Sequence, residues 1–184
     1  MPQQSLLEQP AITGVERLGS KKAGPNAARL GIVSIVRVQL DLWPLILVTN
    51  PRRFDEAVIR AMNDEYERIW ERGERYAIVS HVERTTEPTT AGGRRLLAEW
   101  AGRPRVRRMS RELCVGTATV VPNPIARGGL TALLWLWTPP SPHQAVATTE
   151  EAVDWCLARI DEAGLALPKP AAEVRRAALS MIRD

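Results

Sequence analysis

The sequence predicts an α/β protein: a mixed, mostly parallel sheet flanked by helices, with one antiparallel hairpin at its edge. Three observations carry that expectation. After two opening apolar runs, strand-like and helix-like stretches alternate along the chain, and alternation of this kind builds a parallel sheet through right-handed crossovers. Leu113 to Val121 is nearly continuous in small and β-branched residues, as a strand covered on both faces should be. Gly73, the prolines Pro139, Pro140 and Pro142, and Gly164 fall where the periodic stretches stop, which is where helix ends and turns need them.

Residues 1–28 are rich in Gln, Gly, Pro and Ala without sustained periodicity, and read as a flexible N-terminal arm. Residues 29–166 read as the α/β domain. Within it, IVSIVRVQLDLWPLILVTN holds two apolar runs broken by Asp41 to Pro44, the pattern of a β-hairpin. Ile32, Ser34, Val36, Val38 and Leu40 would share one face of its first strand, and Val33, Ile35, Arg37, Gln39 and Asp41 the other. Pro51 is expected to open a helix running to about Arg72, with Phe54, Val58, Met62 and Ile69 on its inner stripe and the pairs Glu56 with Arg60 and Asp64 with Arg68 outside.

Arg75 to Val82 alternates as a third strand, and Thr89 or Thr90 suits the N-cap of a helix through Leu96, Leu97 and Trp100. The basic stretch from Arg103 to Arg111, broken by Pro104, reads as a helix end leading into the fourth strand. An unusually apolar helix, Ile125 to Trp137, follows; His143 to Thr148 is a short last strand, and Thr149 with Glu150 and Glu151 opens a helix to Ala163. Residues 167–184 form a hinge, Pro-Lys-Pro, and a short helix with Val174, Ala178 and Ile182 on one side. That helix could dock on its own domain or on a partner.

A chain of 184 residues suits one domain, which buries roughly two thirds of its unfolded surface. The net charge of +4 comes almost entirely from arginine, which favours an acidic partner. Cys114 and Cys156 lie far apart in apolar contexts, so they read as reduced core residues rather than a disulfide. The N-terminus shows no signal sequence and no segment has the apolar length to span a membrane; a cytoplasmic location is expected.

Four groups of residues, taken with the element order, carry a resemblance: Trp43-Pro44; Cys114-Val115-Gly116; Arg127-Gly128-Gly129-Leu130-Thr131; and Thr149-Glu150-Glu151-Ala152-Val153-Asp154-Trp155. Together they resemble the STAS or SpoIIAA-like superfamily, named for sulfate transporters and anti-sigma factor antagonists, over roughly residues 30–165. Regulatory members of that superfamily carry a phosphorylated hydroxyl at the start of the helix after the third strand. The matching stretch here is Glu87-Pro88-Thr89-Thr90-Ala91-Gly92, which has the hydroxyls but lacks the family's Asp. The resemblance therefore implies a switch at Thr89 or Thr90, beside the plainer reading of both as cap residues.

Residues that carry chemistry are sparse. His81 and His143 both fall on predicted strands, and neither has a second histidine or a cysteine at metal-ligand spacing, so no metal and no cofactor is expected. Either could serve a small enzyme as acid or base. The nucleophile elbow, the dinucleotide fingerprint and the phosphate-binding loop do not occur. Gly92-Gly93 and Gly128-Gly129 sit near helix starts, where an anion nest or close packing would each use them.

The arginines Arg94, Arg95, Arg103, Arg105, Arg107, Arg108 and Arg111 form the strongest charge feature. They lack the aromatic interleaving of a nucleic-acid stacking platform. They suit either a solvated face or the gripping of an acidic peptide. Trp70 and Trp100 sit on helix stripes and read as core, whereas Trp135 and Trp137 are two residues apart and cannot both point inward from one helix. Leu133, Leu134, Trp135 and Trp137 are accordingly expected to form a homodimer interface.

The leading functional expectation is a non-catalytic, homodimeric module that binds a peptide or protein segment. The peptide would add to the edge of the first strand and be selected by Arg37, Trp43, Arg94, Arg95, Arg105, Arg107 and Arg108. The alternatives are a phosphorylation-responsive switch, a small enzyme, and a protein holding a lipid or other apolar ligand near His81 or His143.

Overall fold

The sheet has five strands in sequential order: β1 (Arg37–Gln39), β2 (Leu45–Asn50), β3 (Tyr76–Val82), β4 (Cys114–Val120) and β5 (His143–Val146). β1 pairs antiparallel with β2, and every other pairing is parallel. The computed structural model describes residues 36–51, 55–82, 90–136 and 139–183. The expected arm, the first half of the opening strand, Phe54, Thr89 and Trp137 lie outside the described residues.

Strand alternation divides the core. Ile46, Val48, Tyr76, Ile78 and Cys114 point to one face, where they meet α1 (Glu56–Glu71), α2 (Ala91–Ala101) and α3 (Pro104–Leu113). Leu45, Leu47, Ala77, Val79, Ala118 and Val120 point to the other, covered by α5 (Thr149–Glu162) and α6 (Ala171–Arg183). With parallel strands in sequential order, crossovers of one hand must keep their helices on one side, and α5 is the first element free to return across the opposite face. α4 (Pro124–Leu136) lies beside β5.

Several boundaries differ from the sequence reading. α1 starts at Glu56, not at Pro51, because the Asp55 carboxylate accepts from Val58 N at 3.0 Å and caps the helix. Arg68 pairs with Glu65 rather than Asp64, the i,i+3 spacing being as close on a helix surface as i,i+4. Residues 104–113 form a separate helix instead of a helix end. Pro104 occupies its first turn, where a missing N–H costs nothing, and Val106 and Leu113 are buried two helical turns apart. Gly73 and Gly164, each at φ +66°, close α1 and α5 as expected.

The C-terminal helix docks on its own domain. Val174 and Ala178 are fully enclosed against the α5 side of the sheet, and Arg175 grips Asp154 of α5 with both nitrogens of its fork, at 2.6 and 3.0 Å. That pair holds the Asp154 carboxyl below the usual carboxylate range. Cys114 and Cys156 are buried free thiols.

Two of the groups that carried the sequence resemblance meet in space. In β4 a register irregularity sets Val115 and Gly116 together opposite the step from Tyr76 to Ala77. A Cβ at Gly116 would stand 2.7 Å from the Trp155 ring and 3.1 Å from the Arg159 side chain. Glycine here lets the α5 indole lie directly on the strand.

Candidate functional site

The polar character of β4 appears on the α1–α3 side only. Thr117 and Thr119 alternate with the buried Ala118 and Val120, so both hydroxyls face the helices. Thr119 Oγ1 bonds His143 Nε2 at 2.8 Å, and Thr117 Oγ1 lies 3.5 Å from Cys114 Sγ. Further along the sheet, Asn50 Nδ2 donates to Ser80 Oγ at 2.7 Å. Each polar group on this stretch of the sheet thus satisfies a neighbour, which is what burial demands.

Above this floor lies an open cavity of about 570 Å3 between α1, α2, α3 and the Pro139–His143 turn. Met62 and Tyr66 of α1, Leu97, Ala98, Trp100 and Ala101 of α2, and Val106 of α3 make its walls; Ser110, Ser141 and His143 are its neutral polar contacts. Its volume falls within the range of small-molecule sites, roughly 300–1,000 Å3. The wall is stiffened by an aromatic stack: Trp70 and Trp100 are nearly parallel with centroids 5.8 Å apart, and Tyr66 stands 5.3 Å from Trp100. A second cavity, of about 650 Å3, lies across the proline turn, between Thr131 and Leu134 of α4 and the start of β5.

The floor is chemically quiet. Burial pushes the Cys114 thiol up, against smaller opposing hydrogen bonds from Thr117, Ser141 and the Gly116 backbone, so it stays protonated and a poor nucleophile. Burial also lowers the His143 pKa, leaving a neutral imidazole at pH 7. His81 shares the alternation of Ala77 and Val79 and therefore projects to the α5 side, so the sheet separates the two histidines. Among the described residues no three His, Cys, Asp or Glu side chains could together hold a metal.

The residues expected to grip a peptide fall in separate places. Arg37 is exposed on β1, at the sheet edge opposite β5. Trp43, in the turn before β2, packs 6.0 Å from Tyr76, and its ring is covered by Arg72 at 4.1 Å. Arg95 pairs with Glu99, and Arg105 pairs with Glu67 while lying 5.9 Å from the Trp70 ring. Arg108 is exposed on α3. Only Arg94 and Arg107 line the cavity. The cavity itself escaped sequence reasoning, since it is bounded by three helices and a turn far apart in the chain; the alternating threonines of β4 were its one local signal.

Thr90 Oγ1 accepts from Gly93 N at 3.0 Å and caps α2. A Cβ built on Gly92 would overlap the Glu56 carboxylate, so the start of α2 already has an acidic neighbour. Gly128 and Gly129 have open space where a Cβ would stand, so packing within the described chain does not call for glycine there. Leu134 is half-buried against the second cavity; the side chains of Leu133, Trp135 and Trp137 lie outside the described residues.

Among the described residues no helix is long and apolar enough to cross a membrane. Comparison with protein-family models, with curated proteins and with solved structures returned no match.

Proposed function

We propose that the chain is a non-catalytic binding module of STAS-like type, and that the cavity between α1, α2, α3 and the Pro139–His143 turn is its ligand site. One observation carries this reading: a predominantly apolar cavity of about 570 Å3, held open by a braced aromatic wall. A floor with a protonated thiol and a neutral, engaged imidazole suits holding a ligand better than transforming it. The cavity reading takes precedence over a peptide on β1 because Arg37 and Trp43 lie towards the sheet edge opposite β5, the strand from which His143 reaches the cavity. A phosphorylation switch at Thr90 would add negative charge beside Glu56, which opposes it.

The test is titration with the neutral fluorophore N-phenyl-1-naphthylamine. The wild-type protein should bind it at one site, and Ala98→Trp should weaken binding at least about tenfold. Ala98 is exposed and lines the cavity, so the new ring fills space without disturbing the core. Equal binding by the two proteins would refute the assignment.

A second reading, of assembly, rests on α4. Ile125 is 86 % exposed on this apolar helix, and Ala126, Gly128, Gly129 and Ala132 beside it are exposed as well. We propose that a second copy of the chain covers this face, which moves the centre of the expected interface from the end of α4 towards its start. Light scattering should give a dimer mass for wild type and a monomer mass for Ile125→Asp. A monomeric wild type at micromolar concentration would dispose of the idea.

A further inference from the structure

We propose that the ligand of this cavity is an amphiphile with a carboxylate head, its apolar chain running inward towards Trp100 and Leu97 and its head gripped at the mouth by Arg107. The inference rests on the cavity being the ligand site, and adds the chemical class of the ligand.

The charge of the lining carries it. Among the described residues that border the cavity, Arg94 and Arg107 are the two charged side chains, and none is an aspartate or glutamate. On the same two helices Arg95 pairs with Glu99 and Arg105 with Glu67, both outside the cavity lining. Arg107 is exposed and makes no ion pair or side-chain hydrogen bond among the described residues. A guanidinium at the mouth of an apolar cavity, answered by no acid among the described residues, favours an anion.

A guanidinium presents a planar fork that matches a carboxylate bidentately. Its position on an exposed residue matters too. A carboxylate buried deep among Trp100, Leu97 and Met62 would lose its hydration without repayment. At the mouth it keeps part of that hydration while the chain desolvates. The aliphatic stem of Arg107 can lie on the apolar wall with its head in water, which brings the fork over the entrance.

Calorimetric titration of the full chain with dodecanoate, dodecanol and dodecyl phosphate tests this. Dodecanoate should bind about tenfold or more tighter than dodecanol, as expected of one charge-assisted pair. Arg107→Gln should remove that difference while leaving dodecanol affinity unchanged. Arg95→Gln removes an equal charge outside the cavity lining and should leave the difference intact.

If dodecanoate and dodecanol bind equally, and both are lost in Ala98→Trp, the head assignment falls and the cavity stands. If neither binds, the ligand site itself is wrong and the inference falls with it. Tighter, Arg107-dependent binding of dodecyl phosphate would overturn the carboxylate in favour of a phosphate head. A preference for dodecanoate that Arg95→Gln weakens as much as Arg107→Gln would reduce the effect to general charge attraction.

Discussion

Trp70→Ala should destabilise the domain by about 4 kcal/mol, the middle of the range for truncating a buried large aromatic. The indole is only 2 % exposed, so its removal leaves a void that α1 and the sheet cannot both close. Three further losses add to the void. The ring stacks on Trp100 and lies 5.9 Å from Tyr66, and its Nε1 donates to the Tyr76 hydroxyl at 2.8 Å in a buried setting. Tyr76→Phe isolates the last of these: it leaves the indole N–H buried without its acceptor, at a cost of roughly 1–3 kcal/mol.

Urea unfolding of the two variants, with the slope checked against wild type, should rank Trp70→Ala well below Tyr76→Phe. The same substitution unbraces Trp100, the cavity wall, so probe binding should weaken in step. A loss under about 1 kcal/mol for Trp70→Ala would show that the stack is not part of the core.

Gly116→Val should be the other severe change. The strand can accept valine by conformation, but the space beside Gly116 belongs to Trp155 and Arg159, whose atoms stand 2.7 and 3.1 Å from where a Cβ would lie. Displacing the indole means shifting α5, whose Ala152, Val153, Cys156 and Ile160 are buried on the same sheet face. Overpacking of this kind costs about 1–3 kcal/mol, occasionally more. The explanation makes a sharper demand than instability alone: in the double variant Gly116→Val with Trp155→Leu, much of the loss should return, because the smaller side chain vacates the contested space. Additive losses in the thermal midpoints of the four proteins would rule the contact out as the cause.

Local sequence rules were reliable wherever one element's own residues settled the matter. The α6 stripe of Val174, Ala178 and Ile182 is the face that packs inward, because a helix that buries any side must bury its apolar one. Helical spacing marks Trp70 and Trp100 as core, and both are buried. Residues 104–113 depart from the expectation because Pro104 suits the start of a helix as well as a stop; Val106 and Leu113, at helical spacing, are buried on the separate helix.

Contacts between distant segments were beyond such rules. Spacing cannot tell that Arg105 is answered by Glu67 and Arg107 by no acid among the described residues, because both are arginines on one short helix and differ only in the direction they take from it. The seven arginines therefore read as one cluster in the sequence and divide into separate environments in space.

By itself the sequence determined the alternation of elements, the antiparallel pair at one edge of a parallel sheet, and the buried faces of most helices. Those follow from side-chain periodicity and from glycine and proline geometry, which act over a few residues. Tertiary structure alone decided that α5 and α6 cover one face while α1 to α3 cover the other. It alone placed Gly116 under Trp155, and it alone enclosed a cavity between three helices and a proline turn. Each of these depends on which surfaces meet after the chain crosses the sheet, and a linear pattern does not carry that information.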